Sequence, residues 1–112
     1  LIAAAGNDVL DGGNNRDTLN GGADNDLLAG GADGDTFVFS GAYGVDVISD
    51  FSVAALDEFI DLAGVASITD FTDLLNNHLS EVAGSAVITV GLNTLTLTGV
   101  AAASLSVGDF LF

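Results

Sequence analysis

Aspartate recurs at a constant interval near the start of the sequence: Asp8, Asp17, Asp26 and Asp35 stand nine residues apart. A carboxylate can serve as acid, base, nucleophile or metal ligand, and its neighbours decide which. Here each aspartate is followed two residues later by a large apolar residue, Leu10, Leu19, Leu28 or Phe37. Written in blocks of nine, the chain reads AAAGNDVLD from Ala3, GGNNRDTLN from Gly12, GGADNDLLA from Gly21 and GGADGDTFV from Gly30. The fourth position holds Gly6, Asn15, Asp24 and Asp33, the three residue types that tolerate a left-handed backbone.

Such a unit has six turn residues and a three-residue strand, so it can bury its single apolar side chain only by stacking on copies of itself. Two units form one flattened coil, and successive coils bring Asp8 beside Asp26 and Asp17 beside Asp35, about 4.8 Å apart. Two such charges at an effective dielectric near 20 repel by about 3 kcal/mol, and a cation between them reverses the sign. Calcium suits the gap because it accepts six to eight oxygen ligands in flexible geometry, and Gly-rich turns also free backbone carbonyls. Zinc would call for Cys or for clustered His, and the chain has no Cys and one His. An EF-hand does not fit, because neither Asp24-Asn25-Asp26 nor Asp33-Gly34-Asp35 opens a loop with Gly at its sixth position and Glu at its twelfth.

Composition points the same way. Sixteen acidic residues face one basic residue, Arg16, for a formal net charge of -15. That balance excludes binding to nucleic acid, which needs Lys and Arg against phosphates, and to anionic membrane surfaces. Yet 49% of the residues are hydrophobic, enough to fold once the charge is met. The 112 residues hold one domain's worth of core. No apolar run reaches the length of a membrane span, so membrane insertion is not expected. The start, Leu1-Ile2-Ala3, has neither an initiator Met nor a charged signal-peptide start, and reads as a piece of a longer protein.

The four blocks resemble the repeats-in-toxin (RTX) family, also called haemolysin-type calcium-binding repeats, whose consensus is G-G-x-G-x-D-x-U-x. The resemblance implies a secreted bacterial module holding Ca²⁺ through the sixth-position carboxylates and the carbonyls of positions one, two and four. On this sequence those are Ala4, Gly6, Asp8, Gly12, Gly13, Asn15, Asp17, Gly21, Gly22, Asp24, Asp26, Gly30, Gly31, Asp33 and Asp35, for about two to four ions. Ala3 and Ala4 depart from the first Gly pair, and Asn15, Asp24 and Asp33 from the fourth-position Gly.

Beyond the repeats, TFVFS at residues 36–40, Val45-Asp46-Val47-Ile48-Ser49-Asp50-Phe51 and Phe59-Ile60-Asp61-Leu62 read as short strands continuing the sheet. They resemble the segment following the last repeat in such modules. Asp46 is placed to close a calcium site with the third repeat, while Asp50, Asp57 and Asp61 fit solvated turns equally well. Phe71, Leu74, Leu75, His78 and Leu79 share one face of a helix starting near Thr69 or Asp70. His78 reads as a packed or surface residue, with no ligand or nucleophile pattern beside it. Residues 85–90 and 94–98 alternate around Gly91-Leu92-Asn93 as a hairpin. The closing Asp109-Phe110-Leu111-Phe112 resembles the uncleaved export signal of proteins sent out by type I (ABC transporter) secretion, a final edge strand being the plainer reading.

The expected fold is all-β: a short right-handed parallel β-roll over residues 1–38, continuing into a β-sandwich-like cap with one short helix over residues 39–112. No nucleophile elbow, zinc-protease helix or phosphate loop occurs, and the expected role is non-catalytic. The leading function is a calcium-binding module of a larger secreted protein, similar to those of serralysin-type proteases. It folds on extracellular Ca²⁺ and engages the type I export apparatus through its C-terminus. The alternative is a polyuronate-binding accessory module, similar to the R-modules of alginate epimerases, with carbohydrate as partner.

Overall fold

Each nine-residue block contributes one short strand, and the blocks alternate between two sheets. In a computed structural model describing residues 1–112, β1 (Val9–Asp11), β3 (Leu27–Ala29) and β5 (Val45–Ile48) lie side by side and parallel. On the opposite side β2 (Thr18–Leu19), β4 (Thr36–Ser40) and β6 (Phe59–Gly64) do the same. Registers run Leu10 to Leu28 to Ile48 in one sheet and Leu19 to Phe37 to Ile60 in the other. These are the apolar residues that follow each acid by two, and all six point inward, with Leu10 the most exposed at 7%. Isolated parallel bridges from Ile2 to Asn20 and from Ala5 to Ala23 extend the first coil.

The roll does not stop with the repeats. In the first sheet it is continued by β9 (Asn93–Leu97), parallel to β5, to which β8 (Ser85–Val90) and β7 (Leu79–Val82) add antiparallel strands, giving the order β1-β3-β5-β9-β8-β7. In the second sheet β10 (Phe110–Leu111) pairs parallel to β6, giving β10-β6-β4-β2. One core of twenty buried hydrophobic residues runs through both sheets. The chain is therefore all-β, a parallel roll leading into a mixed cap, and no helix is long and apolar enough to cross a membrane.

The helical segment differs from the sequence expectation. α1 (Phe71–Asp73) starts at Asp70, whose side chain accepts the Asp73 N–H, but it passes at once into a π-turn over Leu74–His78. There the Leu79 N–H reaches back to the Leu74 carbonyl, and Leu79 swings out to begin β7. Of the expected apolar face Leu74 is buried, Leu75 is 44% exposed and Leu79 belongs to a strand. Pairing of Leu79 with Ile88 competes successfully with another helical turn. His78 is packed, its Nδ1 2.9 Å from the Thr89 carbonyl and its Nε2 3.1 Å from that of Ser67. The hairpin turn is Gly91-Leu92, with Asn93 already in β9.

Candidate metal centre

Because strands of one sheet stack in register, the residues just before them stack as well. On one edge Asp8, Asp26 and Asp46 form a column, and on the other Asp17 and Asp35 do. The backbone ties each column together: Asp8 N–H donates to Asp26 Oδ1 at 2.8 Å, Asp26 N–H to Asp46 Oδ1 at 2.9 Å, and Asp17 N–H to Asp35 Oδ1 at 2.8 Å. Asp26, Asp46 and Asp35 thus turn Oδ1 back toward the preceding coil.

The other oxygens have nothing. Oδ2 of Asp8, Asp17, Asp26 and Asp35 is buried and without a hydrogen-bond partner. Desolvating a carboxylate oxygen without compensation costs several kcal/mol, so four in two rows call for a cation. The turns are shaped around these atoms. A Cβ on Gly21 would lie 2.3 Å from Asp26 Oδ2, and one on Gly30 2.2 Å from Asp35 Oδ2. First-position glycine is therefore the room the carboxylate occupies. No three acidic or imidazole side chains converge on one point. Each gap instead offers carboxylates from two coils together with turn carbonyls, a set of hard oxygen donors that fits Ca²⁺.

The remaining predicted residues fall around these columns. At position four Asn15, Asp24 and Asp33 adopt φ of 71°, 79° and 75°, the left-handed backbone their types allow. The carboxylates of Asp24 and Asp33 accept the amides of Gly6 and Asn15 one coil earlier, so these side chains brace the turns. The second-position glycines pack on the preceding coil: a Cβ on Gly22 would meet the Ala4 carbonyl at 2.5 Å, and one on Gly31 that of Gly13 at 2.1 Å. Gly13 O also accepts the Ala32 N–H at 2.8 Å. Gly12 lies against the Gly30 carbonyl of the following coil.

Asp46 is 1% exposed and stands in register with Asp26 at the end of a coil lengthened to twenty residues. The column ends there, because Leu95, fully buried, holds the corresponding place on β9. Asp50 accepts the amides of Gly30 and Gly31, Asp61 accepts that of Ala63, and Asp57 pairs with Arg16 at the surface. Sequence reasoning missed Glu58. It lies in register with Asp35, twenty-three residues on, and is 3% exposed. The signal that would have found it is the triplet Glu58-Phe59-Ile60, which repeats the acid-x-apolar spacing of Asp8-Val9-Leu10.

Electrostatics mark these carboxylates as strained when metal-free. Burial first, and the neighbouring Asp26 charge after it, push Asp46 up to about 6. Burial, with Asp50, Asp35 and Asp57 adding to it, pushes Glu58 up to about 7. Asp35 is raised by burial and by Asp17, Asp50 and Asp33. The sign follows from linkage. An unfolded chain releases the Glu58 proton near 4.5, whereas the folded chain holds it to about 7. Stability is therefore greatest below the lower value and is lost as pH rises through the upper one. In EDTA the β-structure signal is expected to grow as pH is lowered from 7.5 to 5; a flat or falling trend would contradict the buried, uncompensated carboxylates.

Four tandem copies of the RTX calcium-binding nonapeptide repeat match residues 2–37. The first coils of the roll are therefore built from RTX repeats. Such repeats bind Ca²⁺, which is the ion the orphaned oxygens demand. No curated protein matches the chain significantly. Among solved structures, the extracellular lipase LipA from Serratia marcescens is similar over 97% of this chain, at 24% identity and a TM-score of 0.68. The likeness establishes a shared fold, and the chain spans 20% of that lipase's length. The RTX match ends where β4 begins, so Asp46 and Glu58 stand outside the repeats although they extend the same columns.

Proposed function

We propose that this RTX module is a calcium-triggered folding unit of a larger secreted bacterial protein, itself non-catalytic, which carries an export signal at its C-terminus. The observation that carries the reading is the set of four buried, partnerless carboxylate oxygens arranged in two columns. Calcium, when bound, supplies the positive charge that lets coils carrying stacked aspartates close on one another. Asp8 with Asp26, Asp17 with Asp35, and Asp26 with Asp46 would hold ions in three gaps. Carbonyls of Ala4, Gly6, Gly12, Gly13, Asn15, Gly21, Gly22, Asp24, Gly30, Gly31 and Asp33 complete the shells.

Extracellular calcium modules bind with dissociation constants of about 10⁻⁴ to 10⁻³ M, so external calcium fills such sites and cytoplasmic calcium leaves them empty. The charge of -15 keeps the metal-free chain expanded, the form an exporter can thread. The terminal residues fit this sequence of events. In the folded chain Asp109 caps its own turn through the Ser106 amide, and Phe110 is buried in β10 between Phe71 and Phe112, each ring centroid 5.9 Å away. Recognition by the exporter belongs to the open chain, and folding withdraws the signal afterwards.

Circular dichroism of the EDTA-treated chain is expected to show a cooperative gain of β-structure with Ca²⁺ and none with Mg²⁺. A fold complete in EDTA would overturn the switch. Residues 63–112 fused to a passenger are expected to direct its export through a type I system, and removal of residues 109–112 to stop it. Export that survives the truncation would remove the signal from these residues.

A further inference from the structure

Each turn of the roll presents an aspartate, and the amide two residues before that aspartate is where the turn is fastened. Gly6 N–H donates to Asp24 Oδ2 at 2.9 Å, and Asn15 N–H to Asp33 Oδ2 at 3.0 Å. Asp8 and Asp17 are thus each set by the fourth-position carboxylate of the next coil. The turn carrying Asp46 has no such carboxylate beyond it. Two residues before Asp46 stands Gly44, at φ 93°, and its amide is nonetheless held: Gly44 N–H donates to Asn93 Oδ1 at 3.0 Å.

Asn93 opens β9 and is half-buried. Thr94 beside it donates its N–H to the Gly44 carbonyl at 2.9 Å, so two consecutive cap residues take both polar groups of Gly44. On the repeat side Gly44 lies against the Asp24 carbonyl, which a Cβ would meet at 1.9 Å, and Val45 N–H donates to Asn25 Oδ1 at 3.0 Å. The two residues ahead of Asp46 are therefore gripped from both sides. Asn93 Nδ2 donates to the Val90 carbonyl at 3.2 Å, which keeps Oδ1 toward Gly44. The grip on the cap side is also neutral. Asp46 is buried beside Asp26, and Leu95 ends the column, so a carboxylate here would add charge where no further gap follows. A carboxamide offers the same acceptor oxygen without that charge.

We infer that Asn93, which stands outside the repeats, is the positioning residue for the calcium ion held between Asp26 and Asp46. It does for Asp46, through the backbone of Gly44, what Asp24 does for Asp8. The inference rests on the calcium reading above. Groups that orient a metal ligand from outside the ligand shell change metal affinity by about tenfold or more when removed.

The test is the number of calcium ions carried per chain across a calcium titration, counted by native mass spectrometry in wild type, Asn93→Ala, Asn93→Asp and Gly91→Ala. Asn93→Ala is expected to need about tenfold more calcium than wild type to load its full number of ions. Asn93→Asp keeps the oxygen for the Gly44 amide but loses the N–H for Val90, and should load as wild type does. Gly91→Ala, in the same hairpin but away from Gly44, should do so too. A residue that only braced the hairpin would leave Asn93→Ala and Asn93→Asp equally weak. Asp46→Asn should lose the ion outright, and adding Asn93→Ala to it should weaken the remaining ions no further. If Asn93→Ala fails to fold, Asn93→Asp decides, and tenfold weaker loading there overturns the inference. Equal loading by Asn93→Ala and wild type, or equal weakening in Gly91→Ala, overturns this inference alone; a wild type that loads no calcium overturns the underlying reading.

Discussion

Asp26→Ala is expected to damage calcium-dependent folding about twice as much as Asp8→Ala, although the two residues occupy the same place in their repeats. Asp26 gives Oδ1 to the Asp8 amide of the coil behind it, keeps a buried Oδ2 without a partner and has Asp46 on its other side, whereas Asp8 stands at the end of its column. At about 10 mM calcium, an ion bound with a dissociation constant near 10⁻⁴ M is held at a hundred times that constant and stabilises the folded state by about 2.7 kcal/mol. Loss of two ions thus removes roughly 5 kcal/mol, the whole margin of a domain at the lower end of ordinary stability. In a calcium titration followed by circular dichroism, Asp8→Ala should shift the midpoint upward while still reaching the folded signal. Asp26→Ala should fail to reach it at millimolar calcium. Equal effects of the two would show that the carboxylates are not shared between neighbouring gaps.

Gly44→Ala is expected to destabilise the roll by an amount that calcium does not restore. Gly44 sits at φ 93°, and a Cβ there would lie 1.9 Å from the Asp24 carbonyl, an overlap with backbone that no rotamer relieves. The left-handed conformation alone costs a side chain about 1–2 kcal/mol, and separating β3 from β5 costs more, so a total of about 4 kcal/mol is reasonable. Gly91→Ala is the control, since its φ is 61° but nothing lies within 4 Å of its would-be Cβ. Urea unfolding in saturating calcium should show a loss of about 1 kcal/mol for Gly91→Ala and several times that for Gly44→Ala. Similar losses would mean that coil spacing is more yielding than the contacts indicate.

The repeats were legible because one block states everything its coil needs: glycine where backbone and carboxylate approach, a left-handed fourth residue, an acid, and an apolar residue two places on. Asp46 remained readable because Gly44-Val45-Asp46-Val47-Ile48 keeps the end of that pattern. Glu58 was lost because its coil is longer, its acid is Glu, and Asp57 beside it looks like an equal candidate. β7 was hidden for a local reason. The turn joining it to β8 is Ala83-Gly84 with φ of 50° and 80°, and Ala is an unusual residue for a left-handed turn position, so the hairpin carries no Asn-Gly or Asp-Gly signature. The helix was overestimated because periodicity counts apolar residues and not the strand pairing that Leu79 gains instead.

Asp26, standing between two gaps of its column, would on the proposed sites also make neighbouring ions interdependent. The first cation to enter must order two turns; the next finds one wall already standing. Such nearest-neighbour coupling turns a row of weak sites into a threshold device, whose steepness grows with the number of linked gaps. Leu95, placing a hydrocarbon where the next carboxylate would stand, sets the length of that column and, on the proposed sites, would set the sharpness with which the protein distinguishes one calcium concentration from another.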